Sequence, residues 1–168
     1  RRFSNKAVLP MDSNSVDRLL RSDAFSHPLQ DLRLLETHIS WVILTGEFAY
    51  KIKKPVDFGF LNFRTLPQRR YFCEQELVLN RRFSPELYLD VVPITGTAQR
   101  PRVGGNDTVL DYAVRMRQFD QAAVLSNRVA EGGFDRVLTR RQARCLASVH
   151  DSLPALFPDS GAGTPDAL

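Results

Sequence analysis

The sequence has little cysteine, no long apolar run and no repeated glycine motif, and each absence narrows the classes of protein that fit it. Its two cysteines, Cys73 and Cys145, have neither CxxC spacing nor the number needed for a disulfide framework. No stretch reaches the roughly 18 apolar residues of a membrane span. The basic N-terminus lacks the apolar core of a secretory signal. These absences predict a cytoplasmic protein with no membrane partner.

The positive charge of the chain is modest and dispersed. The 23 lysines and arginines exceed the 19 acidic residues, and acidic residues lie between them along the sequence. No zinc-finger spacing and no aromatic-glycine strand motif accompanies them, so we expect no nucleic-acid partner. Anionic small molecules explain the basic excess equally well.

The N-terminal third begins with a helical pattern. Leucine and valine recur at helical spacing over residues 12–36, with a break near Pro28, which predicts a helix there. We expect residues 1–25 to form a leader and the N-terminal helix, with Met11 as a candidate start. The length of 168 residues and the apolar fraction of 43% are enough for a buried core.

A hairpin follows this helix. The runs HISWVILT and FAYKIKKPV read as two strands, and the tight connection between them contains Gly46, which is free to take a positive φ. In the second strand, Lys51 and Lys53 alternate to the face opposite Tyr50 and Ile52. Two explanations fit these lysines: they guard an exposed edge strand, or one of them points inward and holds an anion.

The helix after the hairpin bears on this choice. Thr65 and Gln68 form a capping-box pattern, and the helix is predicted to run to about Phe83. On a helical wheel Glu76 falls within the apolar arc, whereas Glu74 falls on the polar side. Because an unpaired buried carboxylate costs several kcal/mol, Glu76 either meets a lysine of the preceding strand or lies at the rim and reaches water.

Two more strands and further helices complete the predicted order. Residues 87–94 and 109–119 read as strands joined by a glycine-rich loop, and the second alternates from Leu110 to Arg117. Helix returns from residue 121, with a second capping-box pattern at Thr139 and Gln142. The order of strand, strand, helix, strand, strand and helices predicts an α+β protein.

The segments YKIKKP, FCEQELVLNRR and YAVRMRQF resemble the bacterial family of aminoglycoside phosphotransferase-like enzymes in the protein-kinase-like superfamily. The resemblance covers about residues 26–168, and members are often fused to a P-loop kinase-like domain. It implies a kinase-like N-lobe over residues 26–119, made of an antiparallel sheet and one packed helix. Residues 120–168 would then be the hinge-following helices, the start of an incomplete C-lobe.

The same resemblance implies ATP as the cofactor. Lys51 matches the strand lysine that holds the α- and β-phosphates, and Glu76 matches the helix glutamate that orients this lysine. Lys53 is the second choice for the phosphate contact. The other implied ATP-binding residues lie in the turn and the hinge, where Met116 lines the adenine pocket: Gly46, Met116, Arg117, Gln118 and Phe119.

The sequence departs from the family in two respects. The turn carries one glycine and no GxGxxG, and no aspartate-containing catalytic loop of the HGD type is present. His150-Asp151 lacks the intervening residue and the following asparagine, so we reject it. We therefore expect the ATP-binding lobe of a small-molecule phosphotransferase, inactive alone, with Mg²⁺ bound only when the missing lobe is present. The alternative is a non-catalytic nucleotide-binding or regulatory module of the pseudokinase kind.

Overall fold

The computed structural model of the protein describes residues 10–133 and 135–153, and it divides into two compact units at Asp120. The first unit contains a six-stranded antiparallel sheet and two helices. Its helices are α1 (Ser13–Asp17) and α2 (Leu66–Arg81). Its strands are β1 (Arg33–Glu36), β2 (Ser40–Leu44), β3 (Phe48–Lys53), β4 (Tyr88–Thr97), β5 (Arg100–Val103) and β6 (Val109–Arg117). The strand order is β1-β2-β3-β6-β4-β5.

The predicted hairpin is confirmed. β2 pairs with β3 in antiparallel register, with Val42 opposite Lys51. Gly46 has a φ of +95°, and a Cβ at this position would lie 2.6 Å from Cβ of Gln30. Glycine is therefore needed in this turn both for its backbone conformation and for the close approach of a neighbouring side chain.

The predicted helix over residues 12–36 is wrong for most of its length. α1 ends at Asp17, a short 3₁₀ turn follows at Ser22–Ala24, and residues 33–36 form strand β1 against β2. Leucines spaced along this segment satisfy either pattern, and pairing with the edge of β2 favours the extended form. β3 is consequently the third strand, flanked by β2 and β6, so Lys51 and Lys53 do not guard an edge.

The two faces of the sheet have different partners. One face carries the main apolar core, in which the N-terminal segment covers the sheet; its most buried members include Val16, Leu19, Ile43, Tyr50, Ile52 and Ile94. The other face packs against α2. The predicted arrangement of one antiparallel sheet with the 66–83 helix on one face is therefore confirmed.

α2 begins at the predicted capping box, in which the Thr65 and Gln68 side chains bond each other's backbone N–H groups. Its buried side is centred on Arg69 and Cys73, which are 1% and 0% exposed. Leu79, in the last turn of α2, and Phe83, just beyond its end, are each about half exposed.

A buried ion pair joins the first half of α2 to β6. The Nε of Arg69 donates to both carboxylate oxygens of Asp111 at 2.9 Å, and its Nη1 donates to the backbone carbonyls of Phe63 and Arg64. Asp111 is 0% exposed. Burial raises the pKa of the Asp111 carboxyl, and the Arg69 guanidinium partly offsets that rise.

The pair depends on an irregularity in β6. The register between β4 and β6 shifts where Ile94 opposes Asp111 and Thr95 opposes Val109. As a result Asp111 and the next residue, Tyr112, both reach α2: Asp111 bonds Arg69, and the Arg70 guanidinium lies 5.4 Å from the centre of the Tyr112 ring. The predicted strict alternation along β6 is wrong at this bulge.

The predicted loop between β4 and β6 also contains structure. β4 continues to Thr97, and residues 100–103 form β5, which pairs with it as a hairpin. The glycine-rich segment is therefore shorter than predicted, and Gly104 and Gly105 take positive φ values after β5.

The second unit consists of a 3₁₀ turn at Gln121–Ala123 and the helices α3 (Leu125–Ala130) and α4 (Arg136–Ser152). The prediction of helix after residue 121 is confirmed. The predicted capping box at Thr139 is wrong, because Asp135 caps α4 by accepting a hydrogen bond from the Leu138 N–H at 2.8 Å. Residues 1–9 of the predicted leader and residues 154–168 lie outside the described residues.

The Arg69–Asp111 pair generates the first prediction. R69M leaves the Asp111 carboxylate buried without its cation, so the free energy of unfolding should fall by about 3–5 kcal/mol. Urea denaturation measures this change. The matched control is R70M, which removes the next arginine. Its half-exposed guanidinium bonds Glu74 and lies over the Tyr112 ring, so its loss should cost no more than about 1 kcal/mol. Equal losses in R69M and R70M would contradict the role assigned to the buried pair.

Candidate functional site

Three charged side chains meet between β3 and the second half of α2. The ammonium of Lys51 lies 2.7 Å from Oε1 of Glu76, and the ammonium of Lys53 lies 2.7 Å from Oε2. Each carboxylate oxygen therefore has its own lysine. This cluster of Lys51, Lys53 and Glu76 is called the lysine–glutamate cluster below.

Simple periodicities bring the cluster together. Lys51 and Lys53 are two residues apart on a strand, so both point to the face that α2 covers. Glu76 follows Cys73 by one helical turn and lies on the same buried side of α2. The predicted Lys51–Glu76 pair is confirmed. Glu74 points away from the sheet and bonds Arg70 at 2.8 Å, as the wheel predicted, although its side chain is only half exposed.

The environment of the cluster keeps the glutamate charged. Burial raises the pKa of Glu76, but the charge of Lys53 and the hydrogen bonds from both lysines outweigh that effect and bring the pKa below its ordinary value. The Glu76 side chain is 13% exposed. The carboxylate thus remains ionised in the fold at neutral pH.

The two lysines differ in access to solvent. The Lys53 side chain is 6% exposed, and its ammonium lies 4.8 Å from the centre of the Phe63 ring. The Lys51 side chain is 30% exposed. Lys51 is therefore the member of the cluster that a ligand from solvent can reach.

An apolar strip adjoins Lys51 on the same face of the sheet. Ala49 opposes Met116 of β6, and Met116 in turn opposes Tyr88 of β4. Burial raises the pKa of the Tyr88 hydroxyl, and the negative charge of Glu76 adds to the rise. Met116, predicted to line the adenine pocket, is thus brought to the same face as Lys51.

The predicted hinge residues, Arg117, Gln118 and Phe119, lie at and just beyond the end of β6. The Arg117 N–H donates to the Leu87 carbonyl, and the Gln118 N–H donates to the Glu47 carbonyl, each at 2.9 Å. These two donors are therefore already used within the fold. Phe119 is about half exposed. The prediction that backbone groups of residues 117–119 pair with adenine stays a prediction, with Phe119 as its remaining N–H donor.

Gly46 has a structural partner that the sequence did not reveal. Oε1 of Gln118 accepts hydrogen bonds from the Thr45 N–H at 3.0 Å and the Gly46 N–H at 2.9 Å. The side chain of a predicted hinge residue thereby holds the β2–β3 turn. Gly46 is brought close to the predicted hinge segment, but its N–H group is occupied by Gln118 in this structure.

A sequence triplet that looks like a kinase motif lies outside the lysine–glutamate cluster. Asp57-Phe58-Gly59 has the letters of the metal-binding DFG motif of kinases. Its carboxylate accepts hydrogen bonds from the Gly59 N–H and from the Asn62 side chain, which close a local turn before α2. Among residues 10–133 and 135–153, no group of three His, Cys, Asp or Glu side chains is arranged to hold a metal.

Cys73 lies beneath the cluster and is fully buried. Burial raises the pKa of its thiol to about 12, so it is a neutral packing residue at physiological pH. Cys73 separates the lysine–glutamate cluster from the Arg69–Asp111 pair along the buried side of α2. The Arg69–Asp111 pair could not be predicted from a helical wheel, because a wheel scored for apolarity gives no reason to place an arginine at the buried centre.

Comparison with known proteins identifies relatives but no function. An uncharacterized protein of Mycobacterium bovis and two uncharacterized proteins of Mycobacterium tuberculosis strains are each 33% identical to this chain over 110 residues. The match covers 64% of this chain and 20% of each relative, so the matched segment spans about a fifth of their length. No family model and no solved structure matches the chain. No helix in the described part of the chain is long and apolar enough to cross a membrane.

The lowered pKa of Glu76 generates the second prediction. E76Q should be less stable than the wild type at pH 7, because Lys53 stays buried without a carboxylate. A carboxyl whose folded pKa is depressed contributes stability above the unfolded value of about 4.3, and this stability is lost as the pH falls through the folded pKa. The gap between wild type and E76Q should therefore narrow from pH 5.5 to pH 3.

Urea denaturation across this pH series measures the gap. The control E74Q removes a carboxylate from the exposed side of the same helix. A gap between wild type and E76Q that stays constant down to pH 3 would show that Glu76 does not carry the acid-sensitive stability.

Proposed function

We propose that this chain is the ATP-binding lobe of a small-molecule phosphotransferase of the aminoglycoside phosphotransferase-like kind. The observation that carries the proposal is the 2.7 Å ion pair between Lys51 on β3 and Glu76 on α2. In protein kinases a lysine of the third strand pairs with a glutamate of the following helix, and this pair positions the lysine on the nucleotide phosphates. Both partners here occupy the corresponding elements.

The architecture around the pair supports the same proposal. β1 makes β3 the third strand in chain order, and α2 follows it directly. The sheet is antiparallel, and α2 covers the face that bears the lysines. A kinase-like N-lobe accounts for this combination of third-strand lysine, following helix and antiparallel sheet.

The surface beside the pair suits a nucleotide. Lys51 offers a solvent-accessible ammonium, which is a good partner for phosphate oxygens. The strip of Ala49, Met116 and Tyr88 offers apolar area on the same face for a base. Phe119, past the end of β6, adds an exposed aromatic ring and a backbone donor.

The described residues do not provide a site for Mg²⁺. The carboxylate of the cluster is that of Glu76, and both its oxygens already bond lysines. The cluster therefore has no carboxylate oxygen left for a metal ion. For the whole protein, the proposal includes a metal site and an acceptor substrate, and it allows a fused P-loop domain. None of these is assigned to the residues described.

A non-catalytic nucleotide-binding or regulatory module of the pseudokinase kind is the second candidate. Two turns favour this candidate, because neither is a glycine-rich phosphate loop: Thr37–Ile39 before β2 and Thr45–Glu47 after it. In the second turn, the N–H groups of Thr45 and Gly46 already donate to Gln118 and not to a phosphate. Phosphoryl transfer by the full-length protein from ATP to a small-molecule acceptor separates the two candidates, because the second predicts none.

Nucleotide binding by this chain is the third prediction. The available contacts are one ammonium, a few hydrogen bonds of about 1 kcal/mol each and modest apolar area, set against several kcal/mol of lost freedom. ATP should therefore bind with a Kd of about 1 mM or weaker. Chemical-shift titration with ATP should move signals of Lys51 and Met116, and the chain alone should transfer no phosphoryl group.

The variant K51M should abolish the measured shifts, whereas K54M is the matched control. Lys54 bonds the exposed Glu36, and its removal changes the net charge by the same amount. Equal ATP affinities for K51M and K54M would remove Lys51 from the site. A micromolar Kd for the wild-type chain would contradict the view that the nucleotide site requires a second lobe.

A further inference from the structure

The lysine–glutamate cluster contains two cations and one anion. We propose that Lys53 is an internal counter-ion that neutralises Glu76 and thereby leaves the charge of Lys51 available to a polyphosphate group. This inference rests on the proposed function and deepens it, because it names the ligand chemistry of the cluster and gives each lysine a different role. Lys51 binds the ligand, and Lys53 is a positioning residue.

The first step is the enclosure of Lys53. Its side chain is 6% exposed, and its ammonium lies between Oε2 of Glu76 at 2.7 Å and the Phe63 ring, whose centre is 4.8 Å away. Phe63 is itself 2% exposed. A phosphate arriving from solvent therefore has little access to this ammonium. Lys53, which the family resemblance made the second choice for the phosphate contact, is consequently poorly placed to make it.

The second step is the access of Lys51. Its side chain is 30% exposed, five times the exposed fraction of Lys53, and its ammonium bonds a single oxygen of Glu76. An ammonium has three N–H donors, so Lys51 retains donors for a second acceptor while it stays on Glu76. The same lysine can thus be oriented by the glutamate and bound to a phosphate at once.

The third step concerns the net charge of the lysine–glutamate cluster. One lysine and one glutamate would form a neutral pair, whereas two lysines and one glutamate carry one positive charge in excess. The neighbouring Arg69–Asp111 pair is neutral as a unit, and the Tyr88 hydroxyl is uncharged at neutral pH, as an ordinary tyrosine is. Arg70 and Glu74 neutralise each other on the exposed side of α2. The excess charge is consequently expressed at Lys51, the exposed member.

Variants that change the net charge of the lysine–glutamate cluster test the proposal. Their affinity for inorganic tripolyphosphate is measured by chemical-shift titration at low ionic strength. K53M makes the cluster neutral and should weaken binding roughly tenfold, the size of one charge interaction across a few ångströms of partly solvated protein. The double variant K53M/E76Q restores one positive charge at Lys51 and should return the affinity to within about threefold of the wild type.

The double variant also guards against misfolding, since it leaves no charge of the buried Lys53–Glu76 pair without a partner. In the wild type, Lys54 bonds Glu36 outside the cluster. K54M therefore controls for the loss of one positive charge elsewhere, and it should bind tripolyphosphate as tightly as the wild type does. Equal affinities of K53M and the wild type would overturn the counter-ion role. A double variant no better than K53M would overturn it as well.

Reductive methylation read by peptide mass spectrometry separates this inference from the proposed function. Lys51 should be methylated in the free protein and protected by tripolyphosphate, whereas Lys53 should resist methylation with or without the probe. If tripolyphosphate does not protect Lys51, both the proposed function and the inference fail. If Lys51 is protected but Lys53 is methylated as fast as Lys51, the proposed function stands and the counter-ion role is overturned.

Discussion

A charged side chain on the buried side of a helix has to meet an opposite charge, and this requirement positions α2 on the sheet. Arg69 meets Asp111 of β6, and two turns later Glu76 meets Lys51 and Lys53 of β3. An unpaired charge at any of these positions would cost several kcal/mol, so other registers of the helix are strongly disfavoured. Charge pairing therefore fixes where α2 lies on the sheet, while Leu79, near the end of the helix, remains half exposed.

The same strands that hold α2 also assemble the candidate site. β6 supplies Asp111 to the helix through its bulge and Met116 to the strip beside Lys51. Gln118, which follows β6, bonds the β2–β3 turn twice: its N–H donates to the Glu47 carbonyl, and its side-chain oxygen accepts from the Gly46 N–H. The accessible lysine, the apolar strip and residues 117–118 are thus held by one continuous hydrogen-bonded sheet and its turns, which form a rigid support for a ligand site.

Much of the site followed from local periodicity. Strand alternation placed Lys51 and Lys53 on one face, and the helical wheel placed Glu76 on the buried side of α2 and Glu74 away from it. The capping box at Thr65 set the start of α2, and with it the phase of the wheel. These predictions depend only on residues close in sequence, and the structure confirms the geometry of each.

By itself, the sequence determined the β2–β3 hairpin, the start and phase of α2 and the predominance of helix after residue 121, because each follows from spacing within one or two adjacent elements. Spacing alone allowed Glu76 either to meet a lysine of β3 or to reach water, and the pairing with Lys51 was implied by the family resemblance. Only the tertiary structure decided that residues 33–36 are a strand, that β6 bulges at Asp111, that Gln118 holds the β2–β3 turn and that Lys53 is enclosed by Phe63 while Lys51 is open. Each of these depends on contacts with an element elsewhere in the chain. Their energies are absent from any local pattern, so they appear only when the sheet has formed.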